Sequence, residues 1–154
     1  MYLCDSSVSQ LYNVTFKRNI ADSPGAAMAI VVSADVYIES CIFEENESRA
    51  KGGAIGLFNR GYLKMNNSII YNCHSSTGGG IYAADSTILF MFNCSVQQNS
   101  AKSRAGGVFI STNTTALITD SNFDYNYASG GAGGALLVQD FAFLNLTTTT
   151  FYVR

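Results

Sequence analysis

The chain has 154 residues, of which 47% are hydrophobic and 13% charged, with a formal net charge of −2. That length suits a single domain with a real core. The charge balance offers no electrostatic footprint for nucleic acid or an anionic membrane, and no apolar run approaches the roughly 20 residues of a membrane span.

The elements repeat along the chain. The first coil carries Phe16 and Asn19 and ends at Gly25–Ala26. The second presents Val36 and Ile38, then Phe43 and Asn46 in "FEEN", and closes on Gly52–Gly53. The third runs through Leu63 and Met65, Ile69 and Asn72, to Gly79–Gly80; the fourth through Phe90 and Phe92, Val96 and Asn99, to Gly106–Gly107. The fifth offers Leu117 and Thr119, Phe123 and Asn126, then Gly133–Gly134, and a tail adds Leu144, Leu146 and Phe151. The glycine pairs at 52, 79, 106 and 133 advance by a constant 27 positions.

Counted from each glycine pair, Val36, Leu63, Phe90, Leu117 and Leu144 form one column, and Ile38, Met65, Phe92, Thr119 and Leu146 another. A mixed column (Tyr37, Lys64, Met91, Ile118, Asn145) lies between them. Two apolar columns flanking a mixed one give the period-2 pattern of a strand with one buried face. The next apolar column is Phe16, Phe43, Ile69, Val96 and Phe123, reached after four or five residues, so the turn before it is read as the variable one.

A 27-residue unit with three short strands cannot bury its own apolar face and must stack on its copies. The predicted fold is all-β: a right-handed parallel β-helix of about five coils, forming one solenoid domain over residues 1–154. Asn19, Asn46, Asn72, Asn99 and Asn126 form a ladder of turn amides with a structural role. The glycine pairs are read as corners that a Cβ would obstruct. In the strand that follows, both neighbouring columns are apolar. One of them, Ala27–Ala54–Ile81–Val108–Ala135 or Met28–Ile55–Tyr82–Phe109–Leu136, is therefore expected to form an exposed stripe.

Repeated "GGAI" (52–55) with "FEEN" (43–46), followed by "GGIY", "GGVF" and "GGAL", resembles the repeats of the polymorphic outer membrane protein family, over residues 13–151. The resemblance implies an extracellular right-handed β-helix used in adhesion or surface architecture. That family's pattern also includes a secretion signal and, in bacteria, an outer-membrane barrel. The start "MYLCDSSVSQ" lacks the basic and apolar regions of a signal peptide, so the chain is read as a mature or excised piece. The closing "TTTTFYVR" shows no polar cap, which predicts end-to-end stacking or a longer solenoid.

Six Asn-x-Ser/Thr sequons occur, where the composition alone gives about two or three. Asn13, Asn66, Asn93, Asn113 and Asn145 are candidate glycosylation sites. Asn13, Asn66 and Asn93 are placed in one ladder, and Asn46 belongs to the turn ladder and is expected to be unmodified.

Cys4, Cys41, Cys73 and Cys94 have no metal-ligand spacing. Cys41 and Cys94 share a column two coils apart, about 9.6 Å by strand spacing, too far for a disulfide. Cys73 with His74 has no evident third group to make a nucleophile–base pair. "GGAGG" (130–134) has no following Lys-Ser/Thr for a phosphate loop. Asp35, Asp85, Asp120, Asp124 and Asp140 scatter over columns, and the threonines form no flat ladder. Arg49 and Lys51 align with Lys102 and Arg104 as a modest basic patch.

No cofactor or metal is implied. The expected role is a structural module of an extracellular assembly (filament, coat or adhesin shaft) with no catalytic site. Its partners would be itself or neighbouring solenoid segments, with possible glycans. The alternatives are a carbohydrate- or receptor-binding adhesin module and a polysaccharide lyase or hydrolase.

Overall fold

A computed structural model describes residues 1–152; Val153 and Arg154, part of the end read as uncapped, lie outside the described residues. The described residues form 23 strands, β1 to β23 in chain order, and no helix. All pair in parallel with the strand one coil away. The first coil holds β1 (Tyr2–Leu3), β2 (Val8–Tyr12), β3 (Thr15–Lys17) and β4 (Ile20–Ala21). Each founds a sheet, so a full coil has four short strands where the sequence predicts three. Three of the sheets have six strands, making about six turns where five are expected. β4 and its successors are only two to five residues long, and their single inward position holds Ala21, Ser48, Ser75, Ala101 or Ala128. Without a large apolar residue, that strand leaves no hydrophobic signature.

The core is one continuous stack. On the second sheet, β6 (Asp35–Glu39), β10 (Tyr62–Asn66), β14 (Ile88–Phe92), β18 (Thr115–Thr119) and β22 (Phe143–Thr147) follow β2. Val36 pairs with Leu63, Leu63 with Leu89, Leu89 with Ala116 and Ala116 with Leu144. Ile38, Met65, Met91, Ile118 and Leu146 form the second inward column. The predicted columns are therefore wrong in the fourth and fifth coils, where Phe90, Phe92, Leu117 and Thr119 face outward, and right again at Leu144 and Leu146. A one-residue shift in a strand exchanges its faces. Because "ILFMF" is apolar at all five positions, pattern alone cannot choose the face.

The same shift affects the third sheet, made of β3, β7 (Ile42–Glu44), β11 (Ile69–Tyr71), β15 (Ser95–Gln97), β19 (Asn122–Asp124) and β23 (Thr150–Tyr152). Ile70, not Ile69, joins Phe16, Phe43, Val96 and Phe123; Ile70 is fully buried and Ile69 is 40% exposed. Phe16 stacks on Phe43 with ring centroids 4.9 Å apart, and Phe123 on Phe151 at 5.0 Å. Each fully buried side chain of this size contributes about 1.5–3 kcal/mol.

The register also moves the variable turn. The step from the second sheet's inner column to the third sheet's column is five positions in every coil, from Ile38–Phe43 to Leu146–Phe151. Length varies instead in the corner before the glycines. Gly52 follows Ser48 by four positions, Gly78 follows Ser75 by three, and Gly133 follows Ala128 by five. Gly78, not Gly79, is thus the partner of Gly52. Both have positive φ (67° and 66°), and a Cβ on Gly52 would lie 2.2 Å from the Ile55 carbonyl oxygen. A Cβ on Gly53 would lie 2.1 Å from the Gly79 oxygen, because two backbones pass closely there.

Candidate functional site

The glycine-led first sheet comprises β1, β5 (Met28–Ile30), β9 (Ile55–Leu57), β13 (Ile81–Ala83), β17 (Val108–Ile110) and β21 (Leu136–Val138). Met28, Ile55, Ile81, Val108 and Leu136 face inward; Ala29, Gly56, Tyr82, Phe109 and Leu137 face outward. Neither predicted column is the outward one, and the expected exposed stripe is covered by the chain itself. Phe58 lies over Gly56 and stacks on Tyr82 at 5.2 Å, and Tyr82 stacks on Phe109 at 4.9 Å. The two central rings are only 7% and 4% exposed. Lys51 closes the stack: its Nζ donates to the Tyr82 hydroxyl at 3.0 Å and sits 4.6 Å from that ring's centroid.

The corner between the third and fourth sheets holds the amide ladder. Asn19 Nδ2 donates to Asn46 Oδ1 at 2.8 Å, and Asn99 Nδ2 to Asn126 Oδ1 at 3.0 Å. Asn46, Asn99 and Asn126 also donate to the main-chain oxygens of Phe16, Ile70 and Val96. Asn72 is not a member. It takes the preceding corner position, with φ of 51°, in line with Glu45 at 54°. Cys73 stands in the ladder instead, its N–H donating to Asn99 Oδ1 at 2.9 Å and its sulfur facing Asn46 Nδ2 at 3.8 Å.

A second polar column runs through Cys41, Ser68, Cys94 and Ser121. The Cys41 N–H donates to Ser68 Oγ at 3.0 Å and the Cys94 N–H to Ser121 Oγ at 3.1 Å. All four cysteines are free thiols, with Cys41 and Cys94 two coils apart as expected. Burial pushes the Cys73 and Cys94 thiols up to about 11, against an ordinary thiol value of 9.0. They are inert structural groups, not activated nucleophiles.

The outer face of the second sheet is an open, aromatic-rich surface, a consequence of the corrected register. Tyr12, Tyr37, Tyr62, Phe90, Phe92 and Leu117 lie there. Ring centroids are 5.6 Å apart for Tyr37–Tyr62 and 5.7 Å for Tyr62–Phe90. Burial, with lesser effects from Tyr37 and Asp35, raises the Tyr62 phenol above its ordinary value. Two shallow depressions cross the face. One, of about 130 Å³, lies among Tyr12, Tyr37, Glu39 and Lys64; the other, of about 480 Å³, among Tyr62, Lys64, Phe90, Phe92 and Leu117. Asn66 borders both.

A family model described as right-handed beta helix region matches residues 2–151. The chain belongs to this right-handed β-helix family. No curated protein and no solved structure matches it. The hand of the coil, expected from parallel crossovers, is that of the family.

Within this β-helix, the chemically suggestive residues are distributed as ladders. His74 and Cys73 point to opposite faces, so they make no pair. The fourth sheet, made of β4, β8 (Glu47–Ser48), β12 (His74–Thr77), β16 (Ser100–Arg104) and β20 (Tyr127–Ala128), puts His74 between Glu47 and Ser100, with Nδ1 2.7 Å from Ser100 Oγ. This contact follows from register and has no counterpart in the spacing of the residues.

The five aspartates remain apart. Asp85 and Asp140 share a corner column two coils apart, Asp120 lies in another corner, and Asp35 and Asp124 are on different sheets. Among the described residues, no group of three or more His, Cys, Asp or Glu could hold a metal ion. Lys51 and Arg104 align through Thr77, two coils apart as expected. Arg49 pairs with Asp22 at 2.9 Å on the surface, Arg104 donates to Gln139, and Lys102 is exposed.

Of the sequon asparagines, Asn46 is fully buried, Asn66 is half-buried, and Asn13, Asn93, Asn113 and Asn145 are exposed. Asn66 does not share a ladder with Asn13 and Asn93; that corner position belongs to Asn67, with φ of 48° beside 54° and 50°.

Proposed function

We propose that this β-helix is a structural module of an extracellular assembly, such as a filament, coat or adhesin shaft, without a catalytic site. One observation supports it above the others: the buried polar groups bond from coil to coil. The asparagine ladder, the Cys/Ser column and the stacked rings all run along the axis, which makes a stiff rod. The likeness of "GGAI" and "FEEN" to the polymorphic outer membrane protein repeats supports the same reading, with other solenoid segments as partners. Electron microscopy of the native particle tests it. Rods or filaments are expected; a dispersed monomer that cleaves polysaccharide overturns it.

A second reading, binding of a carbohydrate or receptor along a sheet face, is favoured by the aromatic outer surface of the second sheet. A glycan array separates the two, because a pure shaft binds no free glycan.

A further inference from the structure

The positions of the sequons carry information beyond their number. Asn66 and Asn145 point outward from the second sheet, on β10 and β22. Asn13 and Asn93 occupy the corner directly after that sheet, and Asn113 the corner directly before it. All five accessible sequons therefore lie on or beside one sheet of four. The sixth, Asn46, is buried in the ladder on another side with its Nδ2 bonded to the Phe16 oxygen. The sheet that gathers the sequons is also the one that leaves aromatic rings uncovered. An N-acetylhexosamine matches such a surface, because its ring has a flat C–H face that stacks on an aromatic ring and a polar edge that bonds to amides and charges.

Asn66 is where the two features meet. Its register partners are Glu39 on one side and Phe92 on the other, and Phe92 is 48% exposed. The Asn66 side-chain amide makes no hydrogen bond among the described residues, and the larger depression opens beside it. We propose that the outer face of the second sheet is the glycan-bearing side of the rod, and that its occupant is the chain's own N-linked oligosaccharide on Asn66, with the first sugar seated on Phe92. This rests on the extracellular reading above.

In the transfer, Asn66 Nδ2 forms a bond to C1 of N-acetylglucosamine and displaces the diphosphate of a lipid-diphosphate-linked oligosaccharide donor. One amide proton is lost and the other stays on Nδ2. The sequon hydroxyl of Ser68 is buried and donates to the Asn66 carbonyl oxygen at 2.7 Å, so transfer precedes closure of this coil.

The test is to secrete the chain from eukaryotic cells and map each site by mass spectrometry after enzymatic deglycosylation in heavy-oxygen water. Modification of Asn66 and none at Asn46 is expected. Fluorescence of an apolar dye should rise about two-fold when the glycans are removed, and should not change on the same treatment of Asn66→Gln. Asn66→Gln removes no hydrogen bond, whereas Ser68→Ala would also break an inter-coil bond to Cys41. Phe92→Ala provides an independent check: it keeps the glycan and should shrink the dye response. An unmodified Asn66 beside modified Asn93 or Asn113 overturns the proposal, as does a dye signal indifferent to the Asn66 glycan. If native material carries no glycan while the secreted chain carries it on Asn66, the reading as a glycosylated surface protein fails and the seat stands.

Discussion

Asn99→Ala tests the coil-to-coil bonding on which the rod depends. The side chain is fully buried. Its Nδ2 donates to the Ile70 oxygen at 3.0 Å and to Asn126 Oδ1 at 3.0 Å, and its Oδ1 accepts from the Cys73 N–H at 2.9 Å. Each bond is worth about 1 kcal/mol net, and a buried N–H left without a partner costs about 1–3 kcal/mol more. The expected loss is therefore about 4–6 kcal/mol. Asn19→Ala is the control: this half-buried amide gives one side-chain bond, to Asn46, so its loss should be about 1 kcal/mol. Equilibrium urea unfolding followed by circular dichroism measures both, with the two slopes compared to confirm that the same surface is exposed. Amide exchange at Cys73 should also accelerate in Asn99→Ala. A loss below about 1 kcal/mol, or one equal to that of Asn19→Ala, would refute the ladder as a source of stability.

Cys73→Asn should complete the ladder, offering an acceptor to Asn46 and a donor to the Phe43 oxygen, and raise stability by about 1–2 kcal/mol in the same urea assay. Ile70→Ala should cost about 2–5 kcal/mol and Ile69→Ala less than about 0.5; the reverse order would place the wrong isoleucine in the core. The buried thiols give a pH dependence. Their folded values near 11 exceed the unfolded 9.0, so the folded state holds the proton longer; stability is complete below about pH 9 and declines as pH rises to about 11. Cys94→Ser, which matches Ser68 and Ser121 in its column, should make the fall in Tm between pH 8 and 10.5 shallower, at about half the wild-type slope.

The solenoid itself was legible because its cause is a repeat. Phe16, Phe43, Val96, Phe123 and four of the five predicted ladder asparagines keep their columns, at steps of 27 within each pair of coils and 53 from Phe43 to Val96 and from Asn46 to Asn99. The fourth sheet was not legible, since its inward positions hold only Ala or Ser. Asn72 misled because its neighbour Cys73 performs the ladder's work with a backbone N–H and a sulfur, and neither resembles an amide in sequence. "TGGG" at 77–80 misled for another reason: any two of its glycines make a pair, and the constant 27 selects the wrong two.

That single ambiguity governs the surface as well as the core. Pairing Gly52 with Gly79 sends Phe90, Phe92 and Leu117 inward and Met91 and Ile118 outward, which leaves the second sheet with a mixed exterior. Pairing Gly52 with Gly78 buries Leu89, Met91, Ala116 and Ile118 and turns three large side chains to solvent around Asn66. Ala116 is the informative residue. With Leu117 available one position away, packing alone would favour the larger side chain inside, yet the alanine is the one buried. The spacing to Phe123 holds it there, because a strand shifted by one would drag Phe123 from the core and break the Cys94–Ser121 bond. The aromatic face is thus enforced by the coil's other three sides, and a surface maintained at that cost in exposed apolar area calls for an occupant.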